Sequence, residues 1–434
     1  MNKTILPLLL ACATLLPAGV PLKQAVEAGV AQALAVENTG LDVQSAALAL
    51  QTARFNRWAV PSVSASYRYS SKTPEIDAGL LAGLTGGHIP SGPLAAGPHG
   101  TADFKLALSQ PLYTSGVLTG QIRAARSLET AERVLLRARR NEAAGLVKTS
   151  YYSYRALLAR RDSLRLLIDT LTVHQQTLQA YLKEELIRRS DLLETQIKID
   201  ETRAKLTDLD QAVATEAIQF QRLCGYRPEE VEAGTGETLS PLEATLAGMR
   251  ERHPFVRQLR ERVRALAAQR TVVRGQFGPQ AQAFAEVHAG RPGQNFFGTE
   301  WMAYVQAGVA VSMPLFSWHR PRRETTAIDL AAEKLAHQER DFLAEAEKGL
   351  RQLYLRLETL TAKVRLYDNL VAAAGETAAL KESLYRENQL AHSEFLVAQT
   401  DLERYRSDRG ELDVQIQIVR VAIHTLAGTH LEEP

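Results

Sequence analysis

The distribution of proline is the strongest constraint on this chain. Seventeen prolines are present, yet none falls between Pro111 and Pro228, and none between Pro321 and Pro434. Each of these stretches exceeds 100 residues. Proline inside a helix removes a backbone hydrogen bond and clashes with the preceding turn, so very long helices can run here. Both stretches are rich in Ala, Leu, Glu, Arg, Lys and Gln, all strong helix formers. In the second, Leu350, Leu353, Leu357, Leu360, Val364, Tyr367, Val371 and Ala374 alternate three and four apart, which is a heptad seam. In the first, Val147, Tyr154, Leu157, Leu164, Ile168, Leu171, Leu178 and Leu182 keep that rhythm, with Ser150, Arg161 and Gln175 at the remaining seam positions. A soluble coiled coil would satisfy this pattern by itself.

The two stretches are also copies of each other. A shift of 203 positions superimposes them without a gap. Ser109-Gln110-Pro111-Leu112-Tyr113 falls on Ser312-Met313-Pro314-Leu315-Phe316, Leu193-Glu194-Thr195-Gln196 on Leu396-Val397-Ala398-Gln399, and Leu223-Cys224-Gly225 on Leu426-Ala427-Gly428. Front helices, roughly Leu22–Trp58 and Leu242–Arg274, match more loosely. The expected organisation is a leader over 1–19, a first repeat over 20–228, a connector over 229–240 and a second repeat over 241–434. Each repeat has the order helix, strand, strand, long helix, helix.

Period-two alternation marks four strands, at about 60–70, 102–112, 279–288 and 300–315. Val63, Ala65, Tyr67 and Tyr69 share one face of the first; Phe104, Leu106, Leu108 and Leu112 share one face of the second. Ala281, Ala283, Ala285 and Val287 do so in the third, and Trp301, Ala303, Val305, Ala307, Val309 and Val311 in the fourth. About ten residues is the length that crosses a membrane obliquely. The flanking helices commit their apolar stripes to each other, leaving nothing to cover these faces. Four strands cannot close a barrel, and open edges are not tolerated in lipid, whereas three copies make twelve strands with no edge. Tyr67, Tyr69, Leu106, Leu108, Trp301, Val305 and Val309 are therefore the candidate lipid-facing residues, with the aromatics suited to an interfacial belt. The Ser71–Gly100 segment, with seven glycines and four prolines, reads as a mobile surface loop; Ala289–Thr299 is its shorter counterpart.

Met1–Gly19 has the pattern of a secretory leader: Lys3, then an apolar stretch too short to span a bilayer. Cys12 after Leu9-Leu10-Ala11 is a possible lipidation site; the other reading makes it part of a discarded leader. Net charge is +2, which lends no support to a nucleic-acid partner. Two cysteines exclude a disulfide framework. No catalytic motif or cofactor-binding loop is found, and the histidines lack ligand spacing, so no enzyme activity, cofactor or metal is expected. His424 reads as a helix-end residue, and Cys224, which aligns with Ala427, as a small buried one.

The duplicated strand endings Leu108-Ser109-Gln110-Pro111-Leu112-Tyr113 and Val311-Ser312-Met313-Pro314-Leu315-Phe316 resemble those of the TolC family of outer-membrane export channels. So do the hairpin turns Ser190-Asp191-Leu192-Leu193-Glu194-Thr195-Gln196 and Ser393-Glu394-Phe395-Leu396-Val397-Ala398-Gln399. The resemblance covers about Leu22 to Gly428. It implies a mainly α chain with a small β part, assembled as a homotrimer: a twelve-stranded barrel in outer-membrane lipid, continued by a periplasmic coiled-coil barrel. Helices of about 68 residues, on the order of 100 Å long at 1.5 Å per residue, suit that purpose. It further implies a passive exit duct that opens when docked to a periplasmic adaptor and an inner-membrane pump. Glu184, Glu185, Ser190, Asp191, Ser393 and Glu394 then sit at the periplasmic tip, where rings of Asp191 and Glu394 would favour cations. These residues have a second reading: Ser190 and Ser393 as helix N-caps, with the acid in the first turn interacting with the helix dipole. Family members often carry a glycine before this turn; here Glu184-Glu185-Leu186 and Asn388-Gln389-Leu390 stand instead. Trp318-His319-Arg320-Pro321-Arg322-Arg323 replaces the small turn Thr114-Ser115-Gly116 at the strand-to-helix junction, where basic side chains could meet lipid head groups. The alternative function is an exported coiled-coil adaptor or scaffold, although such proteins usually have one helical hairpin rather than two in register.

Overall fold

The computed structural model describes residues 20–73, 75–77, 93–95, 98–184, 187–232, 238–294, 299–387 and 389–429. The leader, Cys12, Glu185 and most of the Ser71–Gly100 loop lie outside the described residues. In chain order the elements are β1 (Val20–Pro21), α1 (Leu22–Gln32), α2 (Leu34–Phe55), β2 (Val60–Tyr69), β3 (Glu75–Asp77), β4 (Pro93–Ala95), β5 (Gly100–Tyr113), α3 (Val117–Lys183) and α4 (Arg189–Cys224). There follow β6 (Val231–Glu232), α5 (Leu242–Arg252), α6 (Pro254–Gln276), β7 (Gln280–Arg291), β8 (Met302–Ser312), α7 (Arg320–Arg386) and α8 (His392–Ala427).

The duplication holds to the residue. Both long helices have 67 residues and both return helices 36. Their first and last residues all stand 203 positions apart. Each return helix ends on a left-handed glycine, Gly225 at φ 80° and Gly428 at φ 68°, the usual way a helix stops. Even the turn before each long helix repeats: Ser115 and Gly116 have φ of 48° and 88°, and Trp318 and His319 have 47° and 59°.

Three boundaries differ from the expectation. Each front helix is broken in two. Pro254 disfavours helical backbone at the residue before it, and His253 leaves the helical region there, with φ −55° and ψ 128°; at Ala33 no glycine or proline marks the break. The last strand stops at Ser312 rather than running to 315. Pro314 has no N–H for the ladder, while its equivalent Pro111 is kept inside β5 by a register shift between Pro111 and Tyr113. Finally, the Ala289–Thr299 loop begins later, because β7 continues to Arg291.

The chain divides into two compact units that cut across the repeats. One comprises Met1–Leu41, Arg133–Arg257 and Glu339–Pro434, the other Asp42–Glu132 and Gln258–Gln338. The first unit is helical. Its core holds equivalent positions of the two repeats: Ala143, Val147, Phe220 and Cys224 in one cluster, Ala346, Leu350, Ile423 and Ala427 in another. Burial pushes the Cys224 thiol pKa up, which leaves it a small apolar filler. The seam residues are the shielded ones along α7, with their neighbours exposed. The connector is partly anchored: Val231–Glu232 pairs in parallel with Val20–Pro21, and Tyr154 Oη donates to Glu229 at 2.5 Å.

The second unit carries the sheet, in the order β2-β5-β7-β8, antiparallel throughout. Among the described residues β2 and β8 each have one strand neighbour, so both outer edges are open. The first junction is held tightly. Ser115 Oγ donates to the Pro279 carbonyl at 2.5 Å, and a Cβ on Gly275 would lie 2.6 Å from the Ser115 carbonyl oxygen.

Candidate membrane sheet and helical tip

The sheet has two chemically distinct faces, and cross-strand register defines them. Val63, Leu106, Val287 and Val305 form one continuous row across all four strands. Leu108 pairs with Ala285, and Ala285 with Ala307; Ala283 pairs with Val309. All the candidate lipid-facing residues lie on this face or at its ends, and none is covered. Val63 is 79% exposed, Val305 70% and Val309 63%. In water such a surface is a liability, since monomeric soluble proteins rarely leave a large contiguous apolar patch bare.

Aromatic residues collect at both ends of the strands. Tyr67, Tyr69, Phe104 and Trp301 stand at the end away from the helices, with the Phe104 and Trp301 rings 6.1 Å apart. Trp58, Tyr113, Phe316 and Trp318 stand at the end where the chain enters the helices, and all four are exposed. Reading the sequence assigns only Tyr67, Tyr69 and Trp301 to a belt; in the second group Trp58 lies between a helix and a strand and the others at strand-to-helix turns, where no alternation marks a face.

The opposite face is polar and carries a charge network. Lys105 Nζ lies 3.3 Å from Glu286 Oε1. His288 Nδ1 lies 3.1 Å from Asp103, and its Nε2 3.2 Å from Glu286 Oε2. The His288 ring stacks on Tyr304 with centroids 4.7 Å apart. These residues alternate with the apolar rows of their strands, but alternation alone does not connect them. Asp103 and His288 are 185 positions apart, and only the β5–β7 register brings them together.

In the helical unit the tip residues are arranged differently from the capping reading. Arg188 and Ala391 are the N-caps, and neither makes a side-chain cap bond. Ser190 and Ser393 lie inside the first turns of α4 and α8. Ser190 Oγ donates to Asp191 Oδ1 at 3.1 Å instead, because the helix starts early enough to place the serine past the cap. Asp191 and Glu394 do occupy first turns, where the helix dipole favours a carboxylate. Glu184 is exposed in the turn after α3, and Glu394 lies 3.9 Å from Lys381.

Behind this turn is a cluster that the sequence does not announce. His174 on α3 stacks on His392 on α8, with centroids 5.0 Å apart and planes 9° from parallel. His174 Nε2 and His392 Nδ1 are 3.3 Å apart, and His392 Nε2 is 2.8 Å from Thr195 Oγ1 on α4. Tyr385 on α7 stacks on Phe395 at 5.2 Å. Burial, then the neighbouring His392, pushes the His174 pKa down to about 4. Burial also lowers His392, with Asp191 and Glu194 pulling the other way. Burial, aided by Asp191 and Tyr181, raises Tyr385 to about 12. A groove of about 690 Å³ lined by Thr177, Tyr181, Tyr385 and Gln399 opens beside the pair. Among the described residues no group of His, Cys, Asp or Glu is arranged to hold a metal ion, and no helix is long and apolar enough to cross a membrane.

Comparison with known proteins bears on this arrangement. Residues 246–429 match the family model described as outer membrane efflux protein. None of the curated proteins compared matches the sequence. Among solved structures, the outer membrane protein VceC from Vibrio cholerae superposes with a TM-score of 0.75 at 15% identity, covering 94% of this chain and 96% of its own. A membrane protein from Pseudomonas aeruginosa gives 0.75 at 17%, covering 96% and 93%. The outer membrane channel MtrE from Neisseria gonorrhoeae, in its open state, gives 0.75 at 13%, covering 95% and 90%. At these identities the likeness to solved structures is one of fold.

Proposed function

We propose that the chain belongs to the outer membrane efflux protein family, whose model its residues 246–429 match, and that, with the fold of outer-membrane channels over its length, it is the exit duct of an efflux or secretion system. The observation that carries this reading is the four-stranded sheet: an uncovered apolar face, belts of aromatic residues at both strand ends, and two open edges. Lipid replaces water against such a face at no cost, while open edges are not tolerated in lipid. Three copies, joined β8 to β2, remove every edge and make a twelve-stranded barrel. The network of Asp103, Lys105, Glu286 and His288 then faces the lumen. Trp58, Tyr113, Phe316 and Trp318 stand at head-group level on the helix side, with Arg320, Arg322 and Arg323 beside them.

The helices extend into the periplasm as a water-filled tube whose constriction is formed by two hairpin turns, one bearing Glu184, Ser190 and Asp191 and the other Ser393 and Glu394. Threefold symmetry places three copies of each carboxylate around the axis, favouring cations. The duct is passive: a periplasmic adaptor docks on the helices and an inner-membrane pump supplies the energy. The scaffold reading leaves the apolar sheet face unexplained. Purified protein added to a planar bilayer is expected to give discrete conductance steps. Folded protein that stays in the aqueous fraction of lysed cells without detergent, and gives no steps, overturns the reading.

A further inference from the structure

The geometry points to a clasp at the tip: His174 and His392, neutral, hold the two helical hairpins of one chain together, and protonation of both releases them. This inference rests on the duct reading, in which the tip is the constriction, and adds its regulation.

The hydrogen bonds fix the neutral state. Thr195 Oγ1 donates to the Asp191 carbonyl at 3.0 Å, so toward His392 it accepts. His392 therefore carries its proton on Nε2, which leaves Nδ1 as the acceptor for the Nε2–H of His174. The chain of bonds runs from α3 through α8 to α4, tying the first hairpin to the second. A first proton is accommodated: His392 becomes a donor at Nδ1, and His174 moves its own proton to Nδ1 and accepts. A second proton leaves no acceptor between the rings. Two donors and two positive charges then face each other at 3.3 Å, in partly buried surroundings where like charges repel more strongly than in water.

The surrounding groups do not neutralise that pair: the His174 pKa is moved by burial and by His392, with no carboxylate, Asp169 included, acting on it. From α3, Asp169 and Tyr181 line the adjoining groove; from α7, Glu382, Tyr385 and Arg386 do so. Glu382 is engaged by Arg386. Tyr385, its hydroxyl buried without a partner, stays protonated across the working range. On α4, Asp191 and Glu194 act on His392, too weakly to offset its burial. The depressed His174 pKa follows from the same geometry, and it places the second protonation in acid, below the ordinary histidine range.

The test reads hairpin separation directly. Spin labels are placed on the full-length protein in detergent at Lys183→Cys and Glu387→Cys, at the end of α3 and just past the end of α7, in a Cys224→Ala background. The label distance is expected to lengthen as pH falls from about 7 to about 4. In His174→Phe, and separately in His392→Gln, which retains an amide donor toward Thr195, the distance is expected to be independent of pH. A distance that does not change in the unsubstituted pair, or an acid response that persists in both variants, overturns the clasp. The measurement needs no conduction, so a protein that shows the acid response but forms no pore refutes the duct reading and leaves the clasp standing.

Discussion

The two repeats share one backbone and differ in what their side chains do with it. Helix ends, left-handed caps and core positions coincide at an offset of 203. At the strand-to-helix junction the contents diverge. In the first repeat Ser115 is packed against Gly275 and Pro279, and a Cβ on Gly116 would lie 3.5 Å from Thr271 Cγ2. In the second, Trp318 and His319 hold the same left-handed turn with no glycine, and Trp318 is 87% exposed. The difference teaches that this turn is demanded by the architecture rather than by local residue preference. Trp and His adopt it at a cost of about 1–3 kcal/mol each, so a surrounding constraint must hold them there.

Four measurements can break or sharpen the comparison. The largest effect is expected in the duplicated core. Phe220 and Ile423 are equivalent and almost fully buried. Phe220→Ala should destabilise by about 3–5 kcal/mol and Ile423→Ala by about 2–5, read from denaturant unfolding in detergent. A much smaller loss at one of them would show that the two repeats' cores are not equivalent. Next is the sheet, where Leu106 in the first repeat and Val309 in the second lie on the same apolar face. Arginine at either should cost about 2–4 kcal/mol of barrel stability and deplete folded trimer from the outer-membrane fraction. Wild-type levels for one and not the other would reassign that strand's face.

The junction gives a smaller effect of opposite sign in the two repeats. His319→Gly is expected to stabilise by up to about 1 kcal/mol, and Gly116→Ala to destabilise by at least that much, both measured as shifts in thermal midpoint. Smallest are the equivalent tip carboxylates. Asp191→Asn and Glu394→Gln should each lower cation preference in single-channel recordings without altering stability by more than about 1 kcal/mol. Glu394, exposed and within reach of Lys381, should matter less than Asp191.

Much of this was legible because the decisive signals are one-dimensional. Absent prolines and a three-four seam fix long helices, and a gapless offset fixes the repeat. Strand faces follow from alternation. What escaped depends on juxtaposition or on backbone geometry. Nothing in Trp318-His319 advertises positive φ; only the match to Ser115-Gly116 does. His288 and Asp103 meet through strand register, and His174 and His392 meet because two hairpins pack. The caps were misassigned because a serine before an acid looks like an N-cap whether or not the helix has already begun. Pro254 did mark the break in the second front helix, but the break at Ala33 carries no such mark.

The central claim is that the bare apolar sheet faces lipid and is closed by copies of itself. The mass of the folded protein, measured by light scattering after extraction with detergent, tests it most directly. Three chains per particle, recovered only when detergent is present, is the predicted result. A folded single chain that remains in solution without detergent would contradict it.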